Sequence, residues 1–207
     1  MRIMMTPPSH NKNAIKGIGI VLLLSIPIII ILNKALGKSN SNSLPKSLNL
    51  NGRKLVIGDS HSVGIGKSTR GVEVDRKIAV GGWTLNNLMS ALNSYPITKD
   101  VTIIFISIGT NGQFSSGDKI ENLIDLLHKK FPNASLFVYK GSYGWSGSRT
   151  KNELVERMNK YYKRFSDNGV IVLKNGLGYF SDGGDAHNTN TPQAKAIINE
   201  IEDIINA

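Results

Sequence analysis

The chain of 207 residues is long enough for one domain with a sizeable core plus an appendage, and too short for two ordinary domains. It contains no cysteine, which excludes disulfides, thiol catalysis, cysteine-ligated zinc and an acylated cysteine anchor. The net charge of +10 is uneven: residues 1–50 carry 6 Lys/Arg and no acid, whereas residues 51–207 carry 19 Lys/Arg against 15 Asp/Glu. With no basic element interleaved with aromatics, this fits a membrane flank and gives no expectation of nucleic-acid binding.

Residues 1–16 begin MRIMMTPPSHNKN and form a polar, proline-containing tail, expected to be disordered. From Gly17 to Leu32 the sequence GIGIVLLLSIPIIIIL is uncharged and almost wholly apolar, between Lys16 and Lys34. It is shorter than the roughly 20 residues that span a hydrocarbon core. Asn33, Ala35 and Leu36 extend it, however, and both lysines can snorkel to the interface, so residues 17–36 are expected to be a transmembrane anchor. Pro27 is tolerable there. A cleaved secretory signal is the first alternative, but its apolar core is usually only about 7–15 residues and a small-residue cleavage site should follow. A buried core helix is the second, opposed by the polar stretch behind it. Lysines on both sides leave the orientation open. Residues 37–50, GKSNSNSLPKSLNL, read as a flexible tether, and the folded domain is expected over 51–207.

From there strand and helix alternate. Lys54–Ile57 is an apolar strand that stops at Gly58-Asp59-Ser60, a tight turn with further glycines at Gly64 and Gly66. Val72–Val74 and Ile78–Val80 form a second strand region before Gly81-Gly82. Thr84–Leu92 has apolar residues at 85, 88, 89 and 92, the helical spacing, with Thr84 as N-cap. Val101–Ile108 is a continuous apolar run, the mark of a buried strand, and ends in Gly109-Thr110-Asn111. A helix follows over Asp118–Phe131, a strand over Ser135–Tyr139, a Gly/Ser-rich loop over residues 141–149 and a helix over Lys151–Phe165. Val170–Leu173 is a short strand and Tyr179–Asn190 a loop. Thr191-Pro192 then opens a last helix to Ile205, with proline at its first position. Such alternation predicts an α/β domain with a mostly parallel sheet covered on both faces.

Three glycine-containing loops, at Gly58-Asp59-Ser60, Gly81-Gly82-Trp83-Thr84 and Gly109-Thr110-Asn111, each follow a predicted strand, so in a parallel sheet they share the carboxyl edge. A late loop adds Asp182, Asp185 and His187. This set supplies what acyl transfer needs. Ser60 can attack, His187 can take its proton, and Asp185 or Asp182 can orient the imidazole. The backbone N–H groups of Ser60 and Gly82 and the amide of Asn111 can bind the developing oxyanion. Trp83, Tyr143 and Trp145 can line a pocket for a sugar or acyl chain, or belong to the core. Asp59 is expected to organise its turn through backbone hydrogen bonds. His61 is expected to point away from the nucleophile, at the surface or the substrate edge. His128 and His10 have no catalytic setting.

Gly66-Lys67-Ser68 raises a phosphate-binding loop, G-x-x-x-x-G-K-[ST], but the required first glycine falls on His61 and the strand Val101–Ile108 ends in glycine instead of a magnesium-binding acid.

The four blocks resemble the SGNH (GDSL-type) hydrolase family, in which Ser, Gly, Asn and His appear in this order. Ser60 matches the nucleophile of the GDS block, Gly82 the glycine of G-x-[ST], Asn111 the asparagine of G-x-N, and His187 the histidine before the final helix. The resemblance covers residues 54–206. It implies a three-layer flavodoxin-like sheet with helices on both faces and ester hydrolysis without metal or other cofactor. Two departures stand out. The family's last block is usually D-x-x-H, yet Gly184 lies three before His187, and Gly112 follows Asn111 where many members have Asp.

The resulting expectation is a membrane-anchored serine esterase, single-pass, with its domain extracytoplasmic or on a virion membrane. Its substrate would be O-acyl, above all O-acetyl, esters of cell-wall or surface polysaccharide, or lipid esters. An O-acetyltransferase on glycans and a non-catalytic virion or surface binding module that retains the fold are the alternatives.

Overall fold

The computed structural model describes residues 48–145, 149–183 and 187–207. The expected tail, anchor and most of the tether lie outside the described residues, and among those described no helix is long and apolar enough to cross a membrane.

Among the described residues five strands alternate with five helices. β1 spans Arg53–Gly58, α1 Ser60–Ser68, β2 Glu73–Ala79, α2 Leu85–Ser94 and β3 Val101–Ser107. There follow α3 at Ile120–Lys130, β4 at Ser135–Lys140, α4 at Lys151–Asp167, β5 at Ile171–Gly176 and α5 at Pro192–Ile205, with a 3-10 turn at Phe180–Asp182 before α5. All pairings are parallel and the sheet order is β2-β1-β3-β4-β5. The chain therefore steps outward from β1 to β2 and returns to β3 on the other side. The crevice at this switch point, beyond the carboxyl ends of β1 and β3, is where such sheets hold ligands.

Side-chain alternation builds two cores. Leu55 and Ile57 of β1, Ile104 and Ile106 of β3, and Leu136 and Val138 of β4 pack with α2, α3 and α4. The intervening Val56, Ile103, Phe105, Phe137 and Tyr139 pack on the other face against Ile65 of α1 and Ile197 and Ile201 of α5. A strand buried on both faces draws apolar side chains to both alternations, and β3 carries them at every position except Thr102 and Ser107, which are buried and polar.

Two elements differ from expectation. β2 runs on through residues 75–77, between the two apolar pieces of the second strand region, because it lies at the sheet edge where Glu73, Arg76 and Lys77 remain in solvent. The stretch after Ser60 is a nine-residue helix despite Gly64 and Gly66. A side chain at 66 would meet Val74 at 2.5 Å and Val56 at 3.0 Å, so this glycine lets the helix lie close on the sheet.

Phe105 is fully buried, with its ring centroid 5.2 Å from that of Phe137. Phe105→Ala is expected to cost about 3–5 kcal/mol, read as a lowered urea midpoint at unchanged m. A loss below about 1 kcal/mol contradicts the two-faced packing of β3.

Candidate active site

The site begins at the end of β1. Gly58 has φ +126°, and a side chain there would lie 1.9 Å from the Ser107 carbonyl oxygen and 2.8 Å from Ser62 Oγ. This close approach joins the ends of β1 and β3. The Asp59 N–H donates to Ser107 O at 3.0 Å, and the Ser62 hydroxyl donates to Ile57 O at 2.5 Å while accepting from the Ser107 N–H at 3.1 Å. Asp59 then caps α1, accepting from the His61 N–H at 3.0 Å. Ser60, half-buried, is the first residue of α1, so a developing negative charge on its substrate would face the positive end of the helix.

The second and third loops close on this turn. The Val80 N–H donates to Gly58 O at 3.0 Å, and the Cβ position of Gly81 lies 3.8 Å from that of Ser60. Gly82 follows with φ +79° and open space where a side chain would be, so its backbone is exposed. Asn111 sits on a tight loop closed by Phe114 N–H donating to Gly109 O at 2.9 Å. Its Nδ2 donates to Trp83 O at 3.0 Å, which ties the third loop to the second and leaves one amide hydrogen for a ligand. Gln113 and Phe114 both have positive φ, and the buried Phe114 ring, packed 5.7 Å from Tyr161 and 5.9 Å from Tyr162, holds the loop in that form.

The fourth loop presents His187 at the surface, with its ring centroid 5.6 Å from that of Trp145 in an edge contact. Trp145 also lies 4.1 Å from Phe180, and these two aromatics are 39% and 41% exposed. The Asp182 carboxylate pairs with Lys151 Nζ, which lies 5.0 Å from the Tyr179 ring centroid, and the Asp182 carbonyl accepts from Gln193 Nε2. Asp185 lies outside the described residues. Trp83 is half-buried against the core, and Tyr143 is buried beside Tyr179, where burial raises its hydroxyl pKa. Among the described residues no group of three or more His, Cys, Asp or Glu is placed to hold a metal ion.

His61 corrects the expectation of a surface or substrate-edge residue: its side chain is 2% exposed. Its Nδ1 lies 3.1 Å from Asp59 Oδ1, and its Nε2 lies 2.7 Å from Ser142 Oγ and accepts from the Ser142 N–H at 3.0 Å. The reason is helical. His61, Ser62, Ile65 and Gly66 form the buried face of α1, a spacing visible in the sequence once residues 60–68 are read as a helix. Beneath this face Asp59 Oδ2, Ser107 Oγ and Tyr139 Oη are buried with no hydrogen-bond partner among the described residues, and burial pushes the Tyr139 hydroxyl well above the usual tyrosine pKa. The phosphate-loop reading is also disposed of by geometry. Lys67 and Ser68 end α1 at its carbonyl terminus, where the helix dipole repels anions.

A parallel five-stranded sheet between two helical layers, with serine, glycine, asparagine and histidine loops at its carboxyl edge, defines a flavodoxin-like three-layer α/β domain. No family model and no curated protein sequence matches the chain. Solved structures do. An extracellular lipase from Streptomyces rimosus aligns with a TM-score of 0.50 over 73% of this chain and 99% of its own, at 14% identity. A protein from Streptococcus pneumonia, described as a candidate platelet activating factor, aligns with a TM-score of 0.51 over 86% of this chain and 91% of its own, at 15% identity. The domain shares the fold of these two proteins, in agreement with the fold implied by the SGNH (GDSL-type) resemblance of the sequence.

Gly58→Ala places a side chain against the β3 backbone and forces a backbone conformation that L residues avoid. It is expected to lower stability by more than about 2 kcal/mol. Thermal unfolding of the variant reads this directly, and an unchanged Tm contradicts the close approach.

Proposed function

We propose that the protein is a membrane-tethered serine esterase that removes O-acyl groups, above all O-acetyl groups, from cell-wall or surface polysaccharide. The observation that carries this reading is the gathering of the Ser60 turn, Gly82 and Asn111 through Val80–Gly58 and Asn111–Trp83 hydrogen bonds at the switch point of an SGNH fold. In the reaction, Ser60 Oγ attacks the ester carbonyl carbon while its proton passes to His187. The backbone N–H groups of Ser60 and Gly82 and the Asn111 amide bind the oxyanion, and the alcohol leaves with the proton from His187. Water then attacks the acyl-enzyme by the same route, releasing the acid and restoring Ser60. Asp185 is the preferred partner for the His187 ring, since Asp182 is engaged by Lys151.

The aromatic pair Trp145 and Phe180 supports a sugar-bearing substrate. Exposed rings beside the catalytic histidine offer an apolar face for a pyranose ring, whereas an acyl chain would favour a deep apolar tunnel. The apolar stretch 17–36 would hold the enzyme to a bacterial or virion membrane, with the polar stretch after it setting its reach toward the polymer up to Leu48, where Leu48 and Leu50 already pack on the domain core.

The full chain is expected to hydrolyse a short-chain aryl acetate and to release acetate from O-acetylated glycans. Ser60→Ala is expected to lower kcat by about 10³-fold or more with an unchanged circular dichroism spectrum. If wild type and Ser60→Ala are equally inert on both substrates, the reading gives way to a binding module. Acetylated product appearing on an added sugar acceptor instead identifies a transferase. Asn111→Ala is expected to lower kcat by about 10²–10³-fold, and a kcat within about threefold of wild type removes Asn111 from the oxyanion hole.

A further inference from the structure

One polar chain lies outside the proposed chemistry and runs beneath it. The Trp145 Nε1–H donates to Ser142 Oγ at 2.5 Å, and Ser142 Oγ lies 2.7 Å from His61 Nε2. The Ser142 backbone N–H donates to the same Nε2 at 3.0 Å, so this nitrogen is the acceptor and the ring proton sits on Nδ1, aimed at Asp59 Oδ1 at 3.1 Å. Every hydrogen in the chain thus has a defined direction, from Trp145 through Ser142 and His61 to Asp59. Asp59, His61 and Ser142 are 0%, 2% and 0% exposed, so water does not compete for these bonds.

We propose that His61 is a positioning residue that bolts the loop after β4 to the turn carrying Ser60 and thereby sets Trp145 against His187. Its two ends belong to the two halves of the site. Asp59 and His61 flank Ser60 in the chain, whereas Ser142 lies 81 residues beyond His61 and holds the indole whose ring meets the His187 imidazole at 5.6 Å. The far side of the loop is fixed as well: Thr110 Oγ1 donates to Ser142 O at 2.9 Å, and Tyr143 N–H donates to Gly178 O at 3.1 Å. His61 therefore supplies the direct link from this loop to the nucleophile turn. A carboxylate, an imidazole and a serine hydroxyl in series also have the connectivity of an acyl-transfer relay. Ser142, however, is fully buried and its oxygen already accepts from Trp145, so no substrate carbonyl reaches it. The series fixes geometry instead of attacking substrate.

This rests on the esterase reading, and two readouts separate their fates. On aryl acetate, His61→Leu is expected to lower kcat by about 10- to 100-fold with KM within about threefold, the pattern of a displaced catalytic histidine. His61→Gln, whose amide oxygen can accept from Ser142, is expected to recover part of that loss. The chain has two tryptophans, so in a Trp83→Phe background the emission reports Trp145 alone. That emission is expected to shift to the red in His61→Leu and to return in His61→Gln. The emission arm needs no catalysis, so an inert wild type defeats the esterase reading and leaves the positioning role decided by fluorescence. If His61→Leu does not fold, Ser142→Ala breaks the same chain with a smaller change, and is expected to red-shift Trp145 and lower kcat at constant KM. Wild-type kcat and unmoved emission in the folded His61 or Ser142 variants overturn the proposal. So does a loss in Ser142→Ala as deep as in Ser60→Ala, which would make Ser142 the nucleophile.

Discussion

The carboxyl edge of this sheet depends on the contact between Gly58 and Ser107. A missing side chain at 58 lets the end of β1 press on the backbone of β3, and the space thus saved admits Ser62 as a hydrogen-bonded bridge between the two strands. The turn that follows is short because it has nowhere else to go. Asp59 must cap α1 immediately, and Ser60 consequently opens the helix at the point where the sheet order reverses. A site of this kind is set by backbone packing before any reactive group is considered.

Much of this was legible in the sequence because it follows from local pattern. The largely apolar run of β3, the Thr84 and Thr191-Pro192 starts of α2 and α5, and the glycine loops after three strands all carry their own physical signatures, and the structure places them as expected. α1 was harder, since two glycines obscured a helix whose Gly66 serves packing against Val56 and Val74. β2 carries charges between its two apolar pieces because an edge strand tolerates them where a central strand does not.

The buried role of His61 was not legible for a different reason. Its partner Ser142 comes from the loop after β4, and no local rule pairs residues so far apart. Only the parallel stacking of β1, β3 and β4 brings their carboxyl ends together, so the pairing is a product of topology. The same holds for Trp145, whose place beside His187 and Phe180 arises from the meeting of two loops, marked by the bridge between Tyr143 and Tyr179. Residue types told what chemistry was available; the sheet order decided which groups meet.

The fold is shared with the Streptomyces rimosus lipase at 14% identity. Here the floor of the site is polar, with Asp59, His61, Ser107, Tyr139 and Ser142 buried together, while its rim is aromatic. Within that floor, the hydrogen bonds that join Asp59, His61 and Ser142 fix the geometry. The central claim is that Ser60 is the nucleophile, and covalent labelling tests it most directly. After the full chain reacts with a fluorophosphonate, peptide mass mapping is predicted to find one adduct, on Ser60. An adduct on Ser142, or none while the protein remains folded, contradicts the account.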